Sequence, residues 1–347
     1  MKKPISQLIW LPTGGHIGDA VLIMSLFAEV SRKSPELKIV YVLRRNASFI
    51  AQLAEPYPSV KITPLPYAPL SAFRTVLTLL KQRSIVIVPP PRKTHPLIIK
   101  VVAALCRLRG DKVIGFRDKF RWQPYTIALD YEREETYSDN LRRALSRASI
   151  PTEPPGTPPH LTMNTSLPPQ FPFASRPYIV VHPFAHMATF KTMPLRRWKH
   201  LIEALRQRHP SYGIVVTGAD VDKSQAQELC PEPDADVVLA IGLPITQLAG
   251  VLQHAKLYIG VDTGPTHIAG VLHTPSVVLS QQNEPAWLPR YNPNATLVWE
   301  KKNCVCGVPG KKCEAWEDGR SYRRCVYDIS DDAIFTAVGV RLAAPRI

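Results

Sequence analysis

Long hydrophobic runs are missing from this sequence of 347 residues. A membrane-spanning helix needs about 20 consecutive apolar residues. The best candidate, residues 97–106, is too short and is interrupted by Lys100. The basic start after Met1 could begin a signal peptide, but Pro12 and two glycines break the apolar stretch that follows. The sequence therefore predicts a soluble, cytoplasmic protein, although a basic surface could rest on an anionic membrane.

Cysteine is also scarce, with six in the whole chain. Cys106 and Cys230 stand alone, and the other four fall within one short stretch: Cys304, Cys306, Cys313 and Cys325. Two isolated cysteines and one tight cluster do not form the evenly distributed framework of a disulfide-stapled secreted protein. This pattern favours a reducing compartment.

Acidic residues are fewer than basic ones, 28 against 43, and the formal net charge is +15. The excess is uneven, because residues 1–150 hold 24 basic and 11 acidic side chains, whereas residues 178–347 hold 18 and 16. A cationic first half indicates an anionic partner, which could be nucleic acid, a membrane face or a phosphorylated substrate.

Proline marks the domain boundary, since nine of the 27 residues in 151–177 are proline. Proline fixes φ and removes an amide donor, so this stretch should run extended and semi-rigid. A chain of this length favours two domains. We therefore expect a first domain over 1–150, a linker over 151–177 and a second domain over 178–347.

Both halves alternate short β-branched runs with amphipathic stretches, which predicts an α/β fold with parallel sheets covered on both faces. Predicted strands in the first half are 7–11, 38–43, 60–63, 85–88 and 112–116, and in the second half 178–182, 213–217, 237–240, 257–260 and 276–280. Two such halves predict two facing, doubly wound, Rossmann-like domains with a ligand cleft between them.

The first polar segment that follows a predicted strand is residues 13–19, which contains Gly14, Gly15, His16, Gly18 and Asp19. Ligands of open α/β sheets bind at the carboxyl ends of strands, where glycines allow close approach. The segment lacks both the dinucleotide-binding glycine fingerprint and the P-loop lysine. Asp19 is compatible with two roles, a carboxylate that stabilises the helix start and a functional group.

The second segment, residues 182–198, delivers Thr189 and Lys191 from a loop after a predicted strand. A lysine there is a flexible point charge suited to a diphosphate, or an ordinary solvated side chain. The third segment, residues 260–270, contains Asp262, Thr263, Gly264 and Pro265, then His267. Pro265 suits the first helical position, so the amides before it could bind an anion, with His267 one turn further in.

Taken together, these segments resemble glycosyltransferase family nine, the ADP-heptose:lipopolysaccharide heptosyltransferases and their relatives. The motifs are GDAVL near the start, HPF…K…MP…RRW in the middle and GVDTGPTHIAGVL late in the chain. The resemblance covers nearly the whole chain and implies the GT-B fold, with the acceptor on the first domain and the nucleotide-sugar on the second.

The resemblance also implies residue roles. Asp19 matches the proposed general base, and the loop with Gly14, Gly15, His16 and Gly18 lies on the acceptor side. Lys191, with Thr189 beside it, matches the lysine that contacts the donor diphosphate. Asp262, Thr263, Gly264 and His267 match the motif that lines the nucleotide-diphosphate pocket. Asp222, four positions after Gly218, matches an acidic residue that holds the ribose.

The chain departs from the family at positions that border the donor. Phe184 stands where the family has glycine, Met193 stands where it has tryptophan, and residues 281–284 lack the usual glycine. The resemblance implies an inverting, metal-independent transfer of heptose from ADP-heptose to an anionic inner-core glycolipid at the inner membrane face. It leaves open another nucleotide-sugar, a protein acceptor or a GT-B epimerase.

An alternative from another class is a basic protein that binds nucleic acid or another anionic surface. It predicts a recognition motif or interleaved aromatic residues in the basic half, and neither is evident, so no nucleic-acid partner is expected. Among the three segments there is no Asp-x-Asp pair of the kind that holds a divalent cation, and we expect catalysis to need no cofactor.

The clustered cysteines carry a separate hypothesis. Cys304, Cys306, Cys313 and Cys325 could converge on a structural zinc ion, or they could be reduced thiols in a surface loop. Their spacing is not that of a standard zinc ribbon. Relatives with a late cysteine cluster include protein heptosyltransferases with an iron-bound finger, which makes iron as reasonable as zinc.

Overall fold

The structure is a computed structural model that describes residues 7–11, 16–79, 81–90, 97–185, 189–232, 234–281, 288–300, 305 and 313–345. The chain divides into two compact units, unit 1 (Met1–Asn164) and unit 2 (Thr165–Ile347). Among the residues described, no helix combines the length and the apolar composition that a bilayer crossing requires.

Unit 1 is built on a parallel sheet. Its described strands are β1 (Gln7–Trp10), β2 (Lys38–Leu43), β3 (Val60–Pro64), β4 (Ile85–Val88), β5 (Lys112–Phe116) and β6 (Ile127–Leu129). Its described helices are α1 (Ile17–Lys33), α2 (Ala47–Ala54), α3 (Pro69–Leu79), α4 (Leu97–Leu108) and α5 (Tyr137–Arg147). The strands lie in the order β3-β2-β1-β4-β5-β6, which is the Rossmann order.

Unit 2 repeats this plan. Its described sheet strands are β7 (Tyr178–His182), β8 (Gly213–Gly218), β9 (Val237–Ile241), β10 (Leu257–Val261), β11 (Ser276–Leu279) and β12 (Ala295–Val298). They lie in the order β12-β11-β10-β7-β8-β9, with all neighbours parallel. Counted within the unit and read from its other edge, this is the same 3-2-1-4-5-6 order. The predicted parallel α/β architecture of both halves is confirmed.

The remaining elements of unit 2 are helices and one hairpin. The described helices are α6 (Leu195–Arg208), α7 (Lys223–Leu229), α8 (Ile245–His254), α9 (Gly264–Val271), α10 (Arg324–Tyr327) and α11 (Asp331–Ala343), with 3-10 turns at Thr189–Lys191 and Asp220–Asp222. Strands β13 (Glu314–Glu317) and β14 (Arg320–Arg323) form an antiparallel hairpin. The hairpin and α11 were not expected from the sequence.

Helix α1 is held in unit 1 by a buried ion pair. Nearly all of it, from Gly18 to Val30, is buried, and Glu29 pairs with Arg142 of α5. Arg142 Nη1 also donates to the carbonyl of Thr157 at 2.7 Å. A buried ion pair is stable only when its remaining donors and acceptors find partners. This network therefore fixes α1, and with it the side chains at the start of that helix.

The proline-rich stretch 151–177 forms neither helix nor strand, and the boundary between the units falls inside it, after Asn164. Each part packs on its own unit. The Tyr57 hydroxyl donates to the Thr162 carbonyl at 3.1 Å, while Phe171 packs edge-on against Tyr178 with ring centroids 5.1 Å apart. The segment therefore contributes core residues to both units.

Candidate functional site

The candidate site in unit 2 lies where its strand order reverses. Strands β7 and β10 are neighbours, with Gly260 opposite His182 at the carboxyl end of the pair. The loops that follow the two strands therefore emerge side by side. A crevice at such a switch point is where open α/β sheets bind their ligands.

Lys191 and Asp262 meet at this point. Lys191 Nζ donates to Asp262 Oδ2 at 2.8 Å and lies 3.3 Å from the Asp262 carbonyl oxygen. The lysine comes from the 3-10 turn after β7, and the aspartate follows β10 directly. The structure thus brings together two residues, 71 positions apart, that the sequence places in separate donor-binding segments.

His267 completes the cluster from the first turns of α9. Its Nε2 lies 3.5 Å from Asp262 Oδ1, and its Nδ1 lies 2.9 Å from the hydroxyl of Tyr291. A carboxylate only accepts hydrogen bonds, so Nε2 carries the proton. In the neutral ring Nδ1 is then the acceptor of the Tyr291 hydroxyl proton. Tyr291 was not expected at the site, because no motif spacing links it to His267.

The charges of the cluster are set by its surroundings. Burial raises the pKa of Asp262, but the hydrogen bond from His267 and the charge of Lys191 outweigh burial and hold it below its usual range. Burial, with the nearby Asp262 charge, raises the pKa of Tyr291 well above its usual value. Asp262 is therefore ionised and Tyr291 keeps its proton at neutral pH.

The start of α9 supplies backbone donors beside the cluster. Thr263 is the N-cap, and its side chain does not cap the helix but donates to the Val261 carbonyl at 3.2 Å. Gly264 is the first helical residue and Pro265 the second, one position later than the sequence predicted. The first amides of a helix have no intrahelical partner and attract anions.

His182 is buried and serves the fold. Its Nδ1 lies 3.0 Å from Thr217 Oγ1 at the end of β8, and burial lowers the pKa of His182 to about 4. The ring is therefore uncharged at neutral pH. Phe184 follows it and packs against Gly218, where a Cβ atom would stand 2.8 Å from the Phe184 ring.

Asp222 closes the 3-10 turn that follows β8. It is buried, and its Oδ2 accepts from the Ala219 amide at 2.8 Å. It also lines a cavity of about 120 Å³ together with Phe184 and Trp198. Asp220 and Asp222 form an Asp-x-Asp pair outside the three motif segments, and Asp220 is exposed.

On unit 1, Asp19 and Gly18 lie buried in the first turn of α1, and His16 is the exposed N-cap. Burial and then the charge of Asp19 raise the pKa of Tyr41 on β2. Gly14 and Gly15 lie outside the described residues. Asp19 therefore begins a helix at the switch point of the first sheet, after β1.

The other predicted residues are placed only in part. Thr189 begins the 3-10 turn that carries Lys191. Cys313 and Cys325 are buried next to the hairpin, while Cys304 and Cys306 lie outside the described residues. No cluster of three metal-ligating side chains occurs among the residues that the structure describes.

Solved structures share the fold of the two units. Escherichia coli ADP-heptose lipopolysaccharide heptosyltransferase II is 17% identical, with 97% of this chain and 98% of that chain covered at a TM-score of 0.69. The E. coli heptosyltransferase WaaC with ADP is 19% identical, with 84% and 92% covered at a TM-score of 0.64. The two Rossmann-like units thus define a protein with the GT-B glycosyltransferase fold.

The sequence comparison makes the assignment specific. The chain belongs to glycosyltransferase family 9 (heptosyltransferase), whose family model matches residues 99–314. A curated relative, lipopolysaccharide heptosyltransferase 3 of Escherichia coli, is 29% identical over 127 residues, or 35% of this chain. The match spans 36% of that relative's length.

The Asp262 ion cluster should make stability depend on acid pH. The pKa of Asp262 is lower in the folded chain, so the unfolded chain binds more protons as the pH falls. The contribution is complete above the ordinary carboxylate pKa of about 4 and declines below it. Urea unfolding between pH 3 and 7 should show a shallower acid decline for Asp262→Asn than for wild type.

The exposed Glu232 offers a matched control, and Glu232→Gln should follow the wild-type profile. Parallel profiles for Asp262→Asn and wild type would contradict the lowered pKa.

Proposed function

We propose that the protein transfers a heptose from ADP-heptose to a lipopolysaccharide inner-core acceptor, with inversion and without a catalytic metal. Membership of the family supports the reaction class. The observation that carries the proposal is the Lys191–Asp262–His267 cluster at the switch point of unit 2. WaaC with ADP supports an adenine nucleotide as donor. The alternatives are another nucleotide-sugar, which the nucleotide panel below distinguishes, and a protein acceptor.

The donor diphosphate is assigned to Lys191 and the first amides of α9. The lysine has three N–H donors, and Asp262 orients the ammonium group without consuming all of them. Thr263 and Gly264 present the helix start, where the dipole favours negative charge. His267 lines the same pocket with its Nε2 directed at Asp262, Thr189 flanks Lys191, and Asp222 is assigned to the ribose.

Asp19 is assigned as the general base. It accepts the proton of the acceptor hydroxyl while that oxygen attacks the anomeric carbon. The bond between the anomeric carbon and the diphosphate oxygen breaks in the same step, so the configuration inverts. Lys191 and the α9 amides stabilise the charge that builds on the leaving diphosphate, which is the role a metal has in other transferases.

The acceptor is assigned to unit 1, whose positive charge suits a phosphorylated glycolipid. The loop with Gly14, Gly15, His16 and Gly18 adjoins Asp19 in sequence and is proposed to contact it. Such an acceptor would place the protein on the cytoplasmic face of the inner membrane as a peripheral protein. Nucleic acid is not proposed as a partner.

A structural metal at the late cysteines is a separate proposal. Cys313 and Cys325 are both buried next to the hairpin, and thiolates are the soft ligands that zinc and iron prefer. Cys304 and Cys306 would complete the set. The ion would stabilise the segment next to the hairpin and would take no part in the transfer.

Donor binding should be selective for ADP and independent of metal. A thermal-shift panel of ADP, UDP, GDP and CMP in excess EDTA should show stabilisation by ADP alone. Lys191→Met should weaken ADP binding about 10- to 100-fold, since a charge-assisted hydrogen bond contributes about 1.5–3 kcal/mol. The exposed Lys199, changed to methionine, is the control. No shift with any nucleotide, or a strict need for magnesium, would overturn the assignment.

Replacing Asp19 with asparagine should preserve folding but reduce turnover. Asparagine keeps the size and much of the favourable position at the helix start but cannot accept the proton. We expect kcat, measured on the true donor and acceptor, to fall by about 10²–10⁴-fold. The fold should be unchanged. The exposed Glu36, changed to glutamine, is the control. Wild-type kcat in Asp19→Asn would reduce Asp19 to a residue that stabilises α1.

The cysteine proposal predicts about one metal ion per chain in anaerobically purified protein, measured by elemental analysis. Cys313→Ser and Cys325→Ser should each reduce the metal content, because each removes a ligand. Cys230→Ser is the matched control, since Cys230 is also buried but lies outside the cluster. Well under one ion per wild-type chain would leave the four cysteines as reduced thiols.

A further inference from the structure

Helix α4 exposes an apolar face to solvent. One side of it, with Ile99, Val102, Ala103 and Cys106, is buried in the core of unit 1. The opposite side is exposed and carries Leu97, Ile98, Val101, Leu105 and Leu108, with Leu97 70% and Leu108 85% exposed. At about 100° per residue these five side chains fall within one sector of the helix.

A loop that contacts α4 through Lys100 exposes two aromatic side chains. Phe120 is 52% and Trp122 48% exposed. Lys100, buried in α4, donates to Asp118 Oδ1 and to the Trp122 carbonyl, both at 2.9 Å, and its Nζ lies 5.0 Å from the Phe120 ring centre. The buried lysine thus fixes the loop beside the helix. We call the five α4 side chains with Phe120 and Trp122 the α4 patch.

Positive charge surrounds the α4 patch. The exposed basic residues in it or next to it in sequence are Arg107, Lys119 and Arg121, whereas the exposed Arg117 pairs with the exposed Asp130 at 2.7 Å. Both acidic side chains of residues 97–123 are buried, because Asp118 pairs with Lys100 and Asp111 pairs with Arg109. The exposed surface of this segment is therefore apolar and cationic, with no exposed carboxylate.

A helix that is apolar on both sides needs a second apolar environment beyond the protein core. At 12 residues and about 18 Å, α4 is too short to cross a bilayer. An apolar strip with an aromatic side chain and a basic rim is the composition of helices that lie in the plane of a membrane interface. The rim also selects anionic headgroups.

We propose that the α4 patch docks the protein on an anionic phospholipid bilayer, with α4 parallel to the membrane plane. The positive charge favours a bilayer over a second copy of the chain. A two-fold dimer interface would place the same cationic patch against itself, and the like charges would repel. The α4 patch consists only of side chains of unit 1. Its proposed role in membrane docking is therefore independent of the proposed transfer reaction.

Vesicle co-sedimentation tests the surface without an activity assay. The full chain should bind vesicles that contain phosphatidylglycerol and should not bind phosphatidylcholine vesicles. Leu97→Ser with Leu108→Ser should weaken binding about tenfold or more, since each leucine loses its apolar burial. The matched control is Leu77→Ser with Val340→Ser, two exposed apolar residues elsewhere. Melting temperatures equal to wild type show that both variants fold.

Charge reversal tests the rim. Lys119→Glu with Arg121→Glu should weaken binding to phosphatidylglycerol vesicles by at least about fivefold per residue, since each basic side chain near an anionic surface contributes about that factor. Lys223→Glu with Lys256→Glu, two exposed lysines of unit 2, is the control and should bind as wild type does.

Trp122 reports directly on insertion. Brominated lipids should quench part of the tryptophan fluorescence of wild type, and Trp122→Phe should lose that part, while Trp316→Phe should retain it. The proposal is overturned if wild type does not bind phosphatidylglycerol vesicles, or if the α4 patch variants bind as well as their controls. It is equally overturned if the leucine substitutions instead disperse a dimer of the free protein.

Discussion

The carboxylate of Asp262 is the interaction on which the site in unit 2 depends. It follows β10, holds Lys191 at 2.8 Å and faces His267 at 3.5 Å, so one negative charge orients both the 3-10 turn and α9. Without this carboxylate, Lys191 and His267 would have no common partner. Tyr291 extends the arrangement by fixing the far side of the histidine ring. The result is a rigid set of donors beside a helix start, which is a surface complementary to a phosphate.

Both units use the same strand order, and in both the candidate residues follow the central strands. Asp19 begins the helix after β1, and the cluster of Asp262 begins the helix after β10. In an open parallel sheet, the central strands diverge into helices on opposite faces, and this leaves room for a ligand at their carboxyl ends. The repeated topology therefore explains why two short polar segments, far apart in sequence, serve as candidate sites. The buried pair of Glu29 and Arg142 holds the first of them in place.

Much of the fold follows from local sequence pattern. Strands such as β2, β4 and β7 are continuous β-branched runs that suit a sheet buried on both faces, and their bounds match the predicted ones. The elements that the sequence did not predict include the short edge strands β6 and β12 and the hairpin of β13 and β14. The hairpin of β13 and β14 is rich in charge, and it is held by distant partners such as Arg196, whose Nε lies 2.6 Å from Glu317 Oε1. The partnership of His267 and Tyr291 was equally invisible, because it depends on how a later loop folds back. Helix α11 does have a signal in the sequence, an N-cap at Ser330 followed by two aspartates.

The contact between Phe184 and Gly218 couples two positions at the edge of the candidate site. A methyl group on Gly218 would collide with the ring, so the aromatic side chain is compatible only with glycine on the neighbouring strand. A smaller residue at position 184 would remove that collision and leave Ile241, at 3.1 Å, as the next contact of a Cβ atom at 218. In this chain a larger residue at 218 is therefore tolerable only after the ring at 184 is lost. The effect of a substitution at 218 therefore depends on the residue at 184. A larger residue at 218 would be harmful while Phe184 is present and better tolerated in a chain without that ring.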